Sequence, residues 1–496
     1  MAEPIPSHII AEDVQTLHEL GYAQELLRRM SGFSNYAISM SIICILAGGI
    51  TSFHVGYCGV GGASIGLGWP LVCLFSLAVA ATMAQIASAF PTAGGLYHWA
   101  SILGGRGWGW TTAWFNLAGL IFVLAAINAG CFRFLFSSIN VLFDLGWDLK
   151  PTDSTFMLLQ FAAVLLITGT QAMVNHFGIR VTTLLTDFSG WWILIIAIVL
   201  TACLLLWLPG LHADRLITFA NYSGKGDVYE ATDSVAWLFL LGFLLPAYTI
   251  TGFDASAHTS EETIGAARSV PRAIVRSVIV SGVFGWIMLA AAVLAIRDPE
   301  RVADAGGDAF ATILKDGLPS LLAVVLTASI GLAQYLCGLA TVTSASRMAY
   351  AFARDGGLPF SPMFRRIHTQ HRTPVPAIWA VAAAALVFTI FSPLYDAIAA
   401  AAAMFLYISY VLPTGLGLLA HGKRWKTMGP WHLGAWFRPL TGVAIVGCGL
   451  LIVIGLAPPN DTNLWVLGGF VVLLAAGWFL VERRRFAGPP VIKSLG

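Results

Sequence analysis

The feature that most constrains this chain is a series of twelve long apolar runs between residues 36 and 481. A helix that crosses the hydrocarbon core of a bilayer needs about 20 mostly apolar residues. Hydrophobic residues make up 57% of the chain and charged residues only 10%, far from the balance of a soluble globular protein. We predict an all-α integral membrane protein with twelve transmembrane helices, near residues 36–60, 67–89, 108–137, 155–174, 182–208, 234–258, 273–296, 320–346, 375–392, 396–420, 439–457 and 464–481.

The charged residues between these runs are distributed asymmetrically. Lysine and arginine concentrate in the loops on the side of the N-terminus, including Arg347 and Arg372, whereas the opposite loops carry mainly acids such as Asp298. Because basic residues in short loops favour the cytoplasm, we expect both termini to be cytoplasmic, in a bacterial-type cell (inner) membrane. Residues 1–33 lack the apolar core of a signal peptide, so the first span is expected to direct insertion.

Apolar residues also recur within the cytoplasmic N-terminal segment, residues 1–33. Over residues 17–30 they follow helical spacing, with charged residues between them. This pattern predicts an amphipathic helix along the inner membrane surface, with a disordered tail as the alternative. The residues that form the pattern are Leu17, Leu20, Ala23, Leu26, Leu27 and Met30.

Two of the apolar runs contain residues that disfavour a continuous helix. Gly48 and Gly49 lie in the middle of the first run, and the sixth run holds Pro246 and Gly252. Inside a helix glycine costs about 1 kcal/mol relative to alanine and proline about 3 kcal/mol, so both runs are expected to unwind near the bilayer centre. A glycine pair also permits close helix packing, and for the first run that alternative stays open.

Interrupted helices at corresponding positions of two halves indicate the binding site of an inverted-repeat transporter. The first and sixth spans correspond when the repeat unit has five spans. Freed N–H groups favour a carboxylate and freed carbonyls favour an amine, so an amino acid suits such a site. The predicted parts are an N-terminal segment, two inverted repeats, two C-terminal helices and a cytoplasmic tail, at residues 1–33, 34–208, 233–420, 437–482 and 483–496.

Three ionisable residues lie within the apolar runs, where a buried charge is costly and function is the default hypothesis. Arg133 is expected to reach the membrane interface with its long side chain. Asp187 either reaches water or takes part in proton coupling. Asp254 directly follows the second interruption, and its leading predicted role is to cap the next half-helix. Contact with a substrate amine and proton exchange are the alternatives for Asp254.

Three segments carry a resemblance to a known family: AYTITGFDASAHTSEET in the sixth span, SAFPTAGGLYHWA after the second and TSASRMAYAFARDGGLP after the eighth. In these residues the chain resembles the amino acid-polyamine-organocation (APC) superfamily, in the branch of amino acid, 4-aminobutyrate and choline permeases. It is most similar to plant-type bidirectional amino acid transporters. The resemblance implies a five-plus-five inverted repeat with discontinuous helices 1 and 6, and alternating access around a central site.

The resemblance also implies where a substrate binds. One departure from the family pattern is an alanine in place of the first glycine of the first interruption, which narrows that side of the site. The substrate carboxylate would meet this interruption at Ala47, Gly48, Gly49 and Ile50. The residues expected to meet the amine at the second interruption are Tyr248, Thr249, Thr251 and Gly252, with Asp254 beside them.

The coupling mechanism is open at the level of the sequence. Many members of the family carry a lysine in the fifth span in place of a bound sodium ion, but here that span has no lysine and Ser189 takes its position. Asp187 and Ser189 are the coupling candidates, with proton coupling favoured and sodium coupling or facilitated exchange left open. We expect no cofactor and no metal site, since the seven cysteines show no ligand spacing.

The segment SEETIGAARSVPR, which follows the second interruption, is interpreted as a gate or scaffold loop. Glu261 and Glu262 can pair there with Arg268 or Arg272. Three further charges are interpreted as parts of an inner gate or scaffold rather than as substrate ligands, namely Arg347, Arg354 and Asp355.

We therefore predict a secondary active transporter, or permease, that moves amino acids or related small amines such as 4-aminobutyrate. A choline or polyamine permease of the same fold is the alternative. Rivals from other classes are a channel, a binding-only sensor and a membrane-embedded enzyme, and the absence of catalytic motifs such as HExxH argues against the enzyme. The expected partners are the lipid bilayer and a small-molecule substrate and not nucleic acid, while the sequence predicts no oligomeric state.

Overall fold

The computed structural model describes residues 7–147, 149, 153–208, 210–389 and 395–490. For residue 7 and residues 395–399 it describes the backbone alone. Within these ranges the regular secondary structure is helical and there is no β-strand, which confirms the predicted all-α class. The end of the predicted ninth span, at residues 390–392, lies outside the described residues. So do residues 1–6 and 491–496 of the two predicted terminal segments.

The helices of the described chain begin and end close to the apolar runs of the sequence. Two π-helical turns, Ser64–Gly68 and Trp478–Glu482, extend two of them. In chain order the helices are α1 (Ser7–Glu19), α2 (Gly32–Ile43), α3 (Ile45–Thr51), α4 (Phe53–Val60), α5 (Trp69–Ala89), α6 (Leu96–Gly104), α7 (Arg106–Leu142), α8 (Ser154–His176), α9 (Ile179–Leu206), α10 (Val235–Leu241), α11 (Leu244–Thr249), α12 (Ala255–His258), α13 (Ala266–Ala295), α14 (Pro299–Asp304), α15 (Ala309–Gly317), α16 (Ser320–Arg354), α17 (Ser361–Phe364), α18 (Val375–Thr389), α19 (Tyr395–Ala420), α20 (Phe437–Leu456), α21 (Thr462–Gly477) and α22 (Arg483–Arg485).

Ten segments of the described chain are long and apolar enough to cross a membrane. Two shorter apolar helices, Val235–Thr249 and Val375–Thr389, accompany them at the predicted sixth and ninth spans. Large apolar side chains such as Leu166, Trp465 and Val472 are exposed on the outside of the bundle. Such a surface fits the hydrocarbon core of a bilayer, because exposing so much apolar area to water is unfavourable.

The interrupted segments lie inside the bundle. α16 and α19 each pack along α7, while α2 packs against α9, α13 and α16. α3 and α11, which belong to the first and sixth apolar runs, contact each other directly. The packing of the long helices therefore brings together two regions that are about 200 residues apart in the sequence.

The N-terminal segment differs from its prediction. Its helix α1 ends at Glu19, and residues 20–31 are not helical. Leu26 and Met30 lie in this non-helical stretch, and their side chains are buried. The Met30 N–H donates to the Glu262 carbonyl at 2.8 Å. The predicted helix over residues 17–30 is wrong, because these apolar residues pack against the rest of the protein instead of forming one helix face.

Candidate functional site

The first interruption lies at Cys44, and a further break, at Ser52, separates α3 from α4. α2 ends at Ile43 and α3 begins at Ile45, and Cys44 between them has φ +30°, in the left-handed region. Gly48 and Gly49 lie inside α3. The prediction that the glycine pair unwinds is therefore wrong, because both glycines lie within α3, between the breaks at Cys44 and Ser52.

The glycine pair has a packing role. A Cβ at Gly48 would lie 2.9 Å from the Thr249 Cα, so only glycine lets α3 and α11 approach this closely. Gly49 faces Leu289, whose Cδ1 would lie 3.5 Å from an added Cβ. The Gly48 N–H donates to the Cys44 carbonyl at 2.9 Å and is thus used within the helix.

The first turn of α3 holds the backbone donors that the helix itself leaves unused. This turn comprises Ile45, Leu46 and Ala47. Of the four residues predicted to meet a substrate carboxylate, only Ala47 belongs to it. The other three lie further into the helix, where the backbone N–H groups bond to carbonyls of the preceding turn.

The second interruption lies between Thr249, where α11 ends, and Ala255, where α12 begins. Gly252 has φ +85°, which favours glycine, and its N–H donates to the Tyr410 hydroxyl at 2.9 Å. The Tyr407 hydroxyl donates to the Ile250 carbonyl at 3.3 Å. Two tyrosines of α19 thus satisfy backbone groups that the interruption frees.

Pro246 acts at a different place from the one predicted. It lies within α11, before the second interruption. The helix is discontinuous at Gly242 and Phe243, between α10 and α11. Proline has no N–H to donate to the carbonyl four residues earlier, and that carbonyl belongs to Gly242.

Asp254 is completely buried and bonded to protein groups on three sides. The Tyr410 hydroxyl donates to its Oδ1 at 2.8 Å, and the Asn116 Nδ2 donates to its Oδ2 at 2.8 Å. The His258 Nε2 lies 3.2 Å from the same Oδ2. The Asp254 side chain accepts no capping hydrogen bond from α12, so its predicted capping role is wrong. Sequence reasoning missed Asn116 and Tyr410, whose only signal was a polar group inside an apolar run.

A cavity of about 90 Å³, which we call the central cavity, lies between the two interruptions. Among the described residues that line it, none carries a charged side chain. Four predicted site residues are part of the lining, namely Ala47, Gly48, Tyr248 and Thr251. The remaining lining residues are Ile42, Ile43, Cys44, Thr51, Ser52, Val123, Ala126, Ile127, Gln334, Cys337 and Ala402.

The other predicted site residues lie around this cavity without lining it. Ile50 lines a second cavity, described below. Thr249 packs against Gly48, and its hydroxyl donates to the Leu245 carbonyl at 2.9 Å. The predicted residues that line neither cavity are Gly49, Thr249, Gly252 and Asp254.

The second cavity, which we call the large cavity, has a volume of about 580 Å³. Its charged and titratable lining residues include Arg133, Asp308 and Lys315, and Thr51 lines both cavities. Ser320, at the start of the long helix α16, also lines it. The large cavity therefore adjoins the central cavity on the side where α16 begins.

The opposite end of α16 is closed by ion pairs, and we call this region the closed end. Arg347 donates from Nε and Nη2 to the two Glu262 oxygens at 2.8 and 3.1 Å. Arg354 donates from both Nη atoms to Glu261 at 3.0 Å. Both carboxylates are buried. The predicted arginine partners of these glutamates, at positions 268 and 272, are wrong, because the partners lie on α16.

The N-terminal segment completes the closed end. The hydroxyls of Tyr22 and Tyr97 each donate to the Asp355 Oδ2 at 2.7 Å. The Arg354 guanidinium lies 3.9 Å from the centre of the Tyr22 ring. Burial raises the pKa of Asp355, and the neighbouring Arg354 opposes that rise. Asp13 of α1 accepts the N–H groups of residues 265 and 266 at 2.7 and 3.0 Å.

The two coupling candidates lie on α9. The Ser34 hydroxyl donates to the Asp187 Oδ2 at 3.0 Å, while the Asp187 Oδ1 is buried without a partner among the described residues. Ser189 is buried, and its hydroxyl likewise has no partner within the described chain. In that part of the chain no group of three or more His, Cys, Asp or Glu residues could hold a metal ion.

Comparison with known proteins gives consistent matches. Residues 30–480 match the family described as Amino acid permease. The amino-acid permease BAT1 of Arabidopsis thaliana is 31% identical, over 95% of this chain and 95% of that protein. The GABA-specific permease of Saccharomyces cerevisiae is 27% identical, over 96% and 86%. A putative polyamine transporter of Candida albicans is 26% identical, over 97% and 90%. The predicted resemblance is confirmed, whereas these plant and fungal relatives give no support to a bacterial membrane.

Proposed function

The chain belongs to the amino acid permease family, and we propose that it is a secondary transporter of zwitterionic amino acids, including 4-aminobutyrate. It is an integral membrane protein of a permease family and not an enzyme. The observation that carries the substrate proposal is the central cavity, whose described lining is uncharged. A zwitterion has no net charge to balance there, so uncharged hydrogen-bonding groups of the lining suffice to bind it.

The same observation weighs against the choline and polyamine alternatives. A polyamine carries two or more positive charges, which need carboxylates when they leave water. The carboxylate closest in sequence to the interruptions, Asp254, is already bonded to Tyr410, Asn116 and His258. Quaternary ammonium groups favour cages of several aromatic rings, and Tyr248 is the one aromatic residue in the described lining.

For the architecture, we propose twelve spans that form two inverted repeats of five, at residues 34–208 and 233–420, and two C-terminal helices at residues 437–482. Support comes from the interruptions, which fall in the first and sixth apolar runs. The distribution of basic residues supports cytoplasmic termini and a cytoplasmic closed end. The large cavity would then face outward.

This arrangement supports transport by alternating access. The large cavity leads toward the central cavity from one side, while the ion pairs of Glu261 and Glu262 close the other. A channel needs a pathway open at both ends, whereas a transporter needs the closed end to separate in a second state.

We propose Asp187 as the residue that couples transport to protons, with Ser189 as the position that decides whether sodium contributes.

Counterflow in liposomes tests the proposed function. Purified protein is reconstituted with an excess of one unlabelled solute inside, and uptake of the same labelled solute is followed for alanine, 4-aminobutyrate, choline and putrescine. We expect saturable counterflow of alanine and 4-aminobutyrate and none of the two cations. Counterflow of choline or putrescine alone would contradict the proposal, as would a current that needs no substrate. A Gly48→Val variant provides the inactive control, because its side chain would collide with Thr249.

A further inference from the structure

One polar side chain of the central cavity lacks a hydrogen-bond partner among the residues that the structure describes. Gln334 lies on α16, lines the cavity and is 2% exposed. Its carbonyl oxygen is buried and accepts no hydrogen bond from the described residues. Buried amide oxygens are normally bonded, because losing water without gaining a donor is unfavourable.

Other buried amides of the same region are bonded to each other. The Asn128 Nδ2 donates to the Gln171 Oε1 at 2.9 Å, and the Gln171 Nε2 donates to the Asn128 Oδ1 at 2.9 Å. The Gln171 Nε2 also donates to the carbonyl of Tyr335, the residue that follows Gln334. The same stretch of α16 thus lies beside the Asn128–Gln171 pair, whose amides bond to each other, and carries Gln334, whose amide faces the cavity. Helix packing accounts for the bonded pair, but it does not account for the position of the Gln334 amide.

The fold provides space for the Gln334 amide. Gly130 on α7 lies against it, and a Cβ at Gly130 would be 2.8 Å from the Gln334 Oε1 and 3.0 Å from its Nε2. Gly130 lines the large cavity, whereas Gln334 lines the central cavity. The amide therefore lies where the two cavities approach each other.

The wall around this amide is otherwise apolar. α7, α16 and α19 contribute Val123, Ala126, Ile127, Cys337 and Ala402 to the central cavity. The interrupted segments contribute the backbone and hydroxyl groups that suit one charged end of a substrate. A substrate held there by one end extends its other end along the apolar wall, where Gln334 offers the hydrogen-bonding group.

We propose that Gln334 determines substrate specificity, its carbonyl oxygen accepting a hydrogen bond from the distal ammonium group of an ω-amino acid such as 4-aminobutyrate. This inference rests on the proposed function and narrows its substrate class. Alanine has no donor at its distal end, so it makes no use of the amide. The ratio of the two apparent affinities therefore reports the role of Gln334 separately from transport as such.

The test compares uptake of 4-aminobutyrate and alanine by wild-type protein and by Gln334→Met in liposomes. Methionine keeps the length of the side chain and removes the amide. We expect the KM for 4-aminobutyrate to rise about tenfold while the KM for alanine stays within about twofold, as one lost substrate hydrogen bond predicts. Gly130→Ala should shift the ratio in the same direction, because the added methyl group displaces the amide.

A matched control is Thr341→Val on the same helix. The Thr341 hydroxyl is buried but already donates to the Cys337 carbonyl at 2.9 Å, so its removal should leave the KM ratio unchanged. An unchanged ratio in Gln334→Met, or an equal rise in both KM values, would overturn the inference while wild-type uptake upholds the proposed function. If the wild-type protein transports neither solute, both proposals fail. Size-exclusion profiles confirm that each variant is folded.

Discussion

The closed end and the central cavity both bury polar groups, but they satisfy them in different ways. At the closed end, Glu261 and Glu262 each face an arginine of α16 at hydrogen-bond distance. In the central cavity the described lining is uncharged, and no described residue donates a hydrogen bond to the Gln334 carbonyl oxygen. Where the protein supplies both partners, the arrangement holds the structure together. Where it supplies one, a ligand can supply the other.

This difference reassigns Asp254. From the sequence, capping is the leading role predicted for Asp254, and contact with a substrate amine is an alternative. Its carboxylate is bonded by three protein groups and does not line the central cavity, so it is satisfied by the protein as the glutamates of the closed end are. The uncharged Gln334, which the sequence did not single out, has the incomplete bonding expected of a binding group.

The largest effect is expected from breaking an ion pair of the closed end. Arg347→Ala leaves the buried Glu262 without its partner, which costs about 3–5 kcal/mol of unfolding free energy. Thermal denaturation in detergent measures the loss. The exposed Arg366 offers a control, since Arg366→Ala should leave the melting temperature unchanged. Equal melting temperatures for both variants would remove the distinction between the two regions.

The next effect concerns the contact between the interrupted segments. Gly48→Val places new atoms against Thr249, and we expect a loss of about 3 kcal/mol from overpacking together with loss of uptake. Gly49→Ala is the matched comparison, because its Cβ would make ordinary contacts with Leu289 and should be tolerated. Full uptake by Gly48→Val would show that α3 and α11 need not approach each other closely.

A smaller effect is expected from Asp254→Asn. The change removes the charge that strengthens the hydrogen bonds from Tyr410 and Asn116, so we expect a stability loss of about 2 kcal/mol. The KM ratio of 4-aminobutyrate to alanine should stay as in the wild type. A changed ratio with unaltered stability would instead make Asp254 a substrate ligand.

The smallest effect is a pH dependence of the closed end, where the His98 ring contacts the Tyr22 ring with centroids 5.3 Å apart. Burial, with Arg354 nearby, lowers the pKa of His98 from 6.5 to about 3. The unfolded chain therefore binds a proton below pH 6.5 that the folded protein does not, so stability falls as the pH is lowered. At pH 5.5 the loss amounts to about 1.4 kcal/mol. His98→Asn should remove this part of the dependence, and identical pH profiles would contradict it.

The sequence predicted the helices well because length and hydropathy decide which segments can cross a bilayer. It placed the two interruptions in the correct runs but missed the residues that form the first. Cysteine has no special preference for the left-handed conformation that Cys44 adopts. Gly48 is needed because Thr249 approaches it from a distant part of the chain, and no local pattern reports such an approach.

Other predictions failed for the same reason, because the bonding partner lies far away in the sequence. The arginines closest in sequence to Glu261 and Glu262 were the expected partners, whereas helix packing brings α16 to them instead. The tyrosines of α19 that bond to the second interruption lie about 160 residues beyond it. A single sequence shows which groups need partners, and the fold decides which groups meet them.

The N-terminal segment has a consequence for how the protein is made. The Tyr22 hydroxyl bonds to Asp355, 333 positions later, and Asp13 bonds to the backbone 252 positions later. These contacts can form only after α16 and the loop before α13 have been inserted and packed. Because contacts of such high sequence separation form late, we expect docking of this segment to be the last step in closing this end of the bundle.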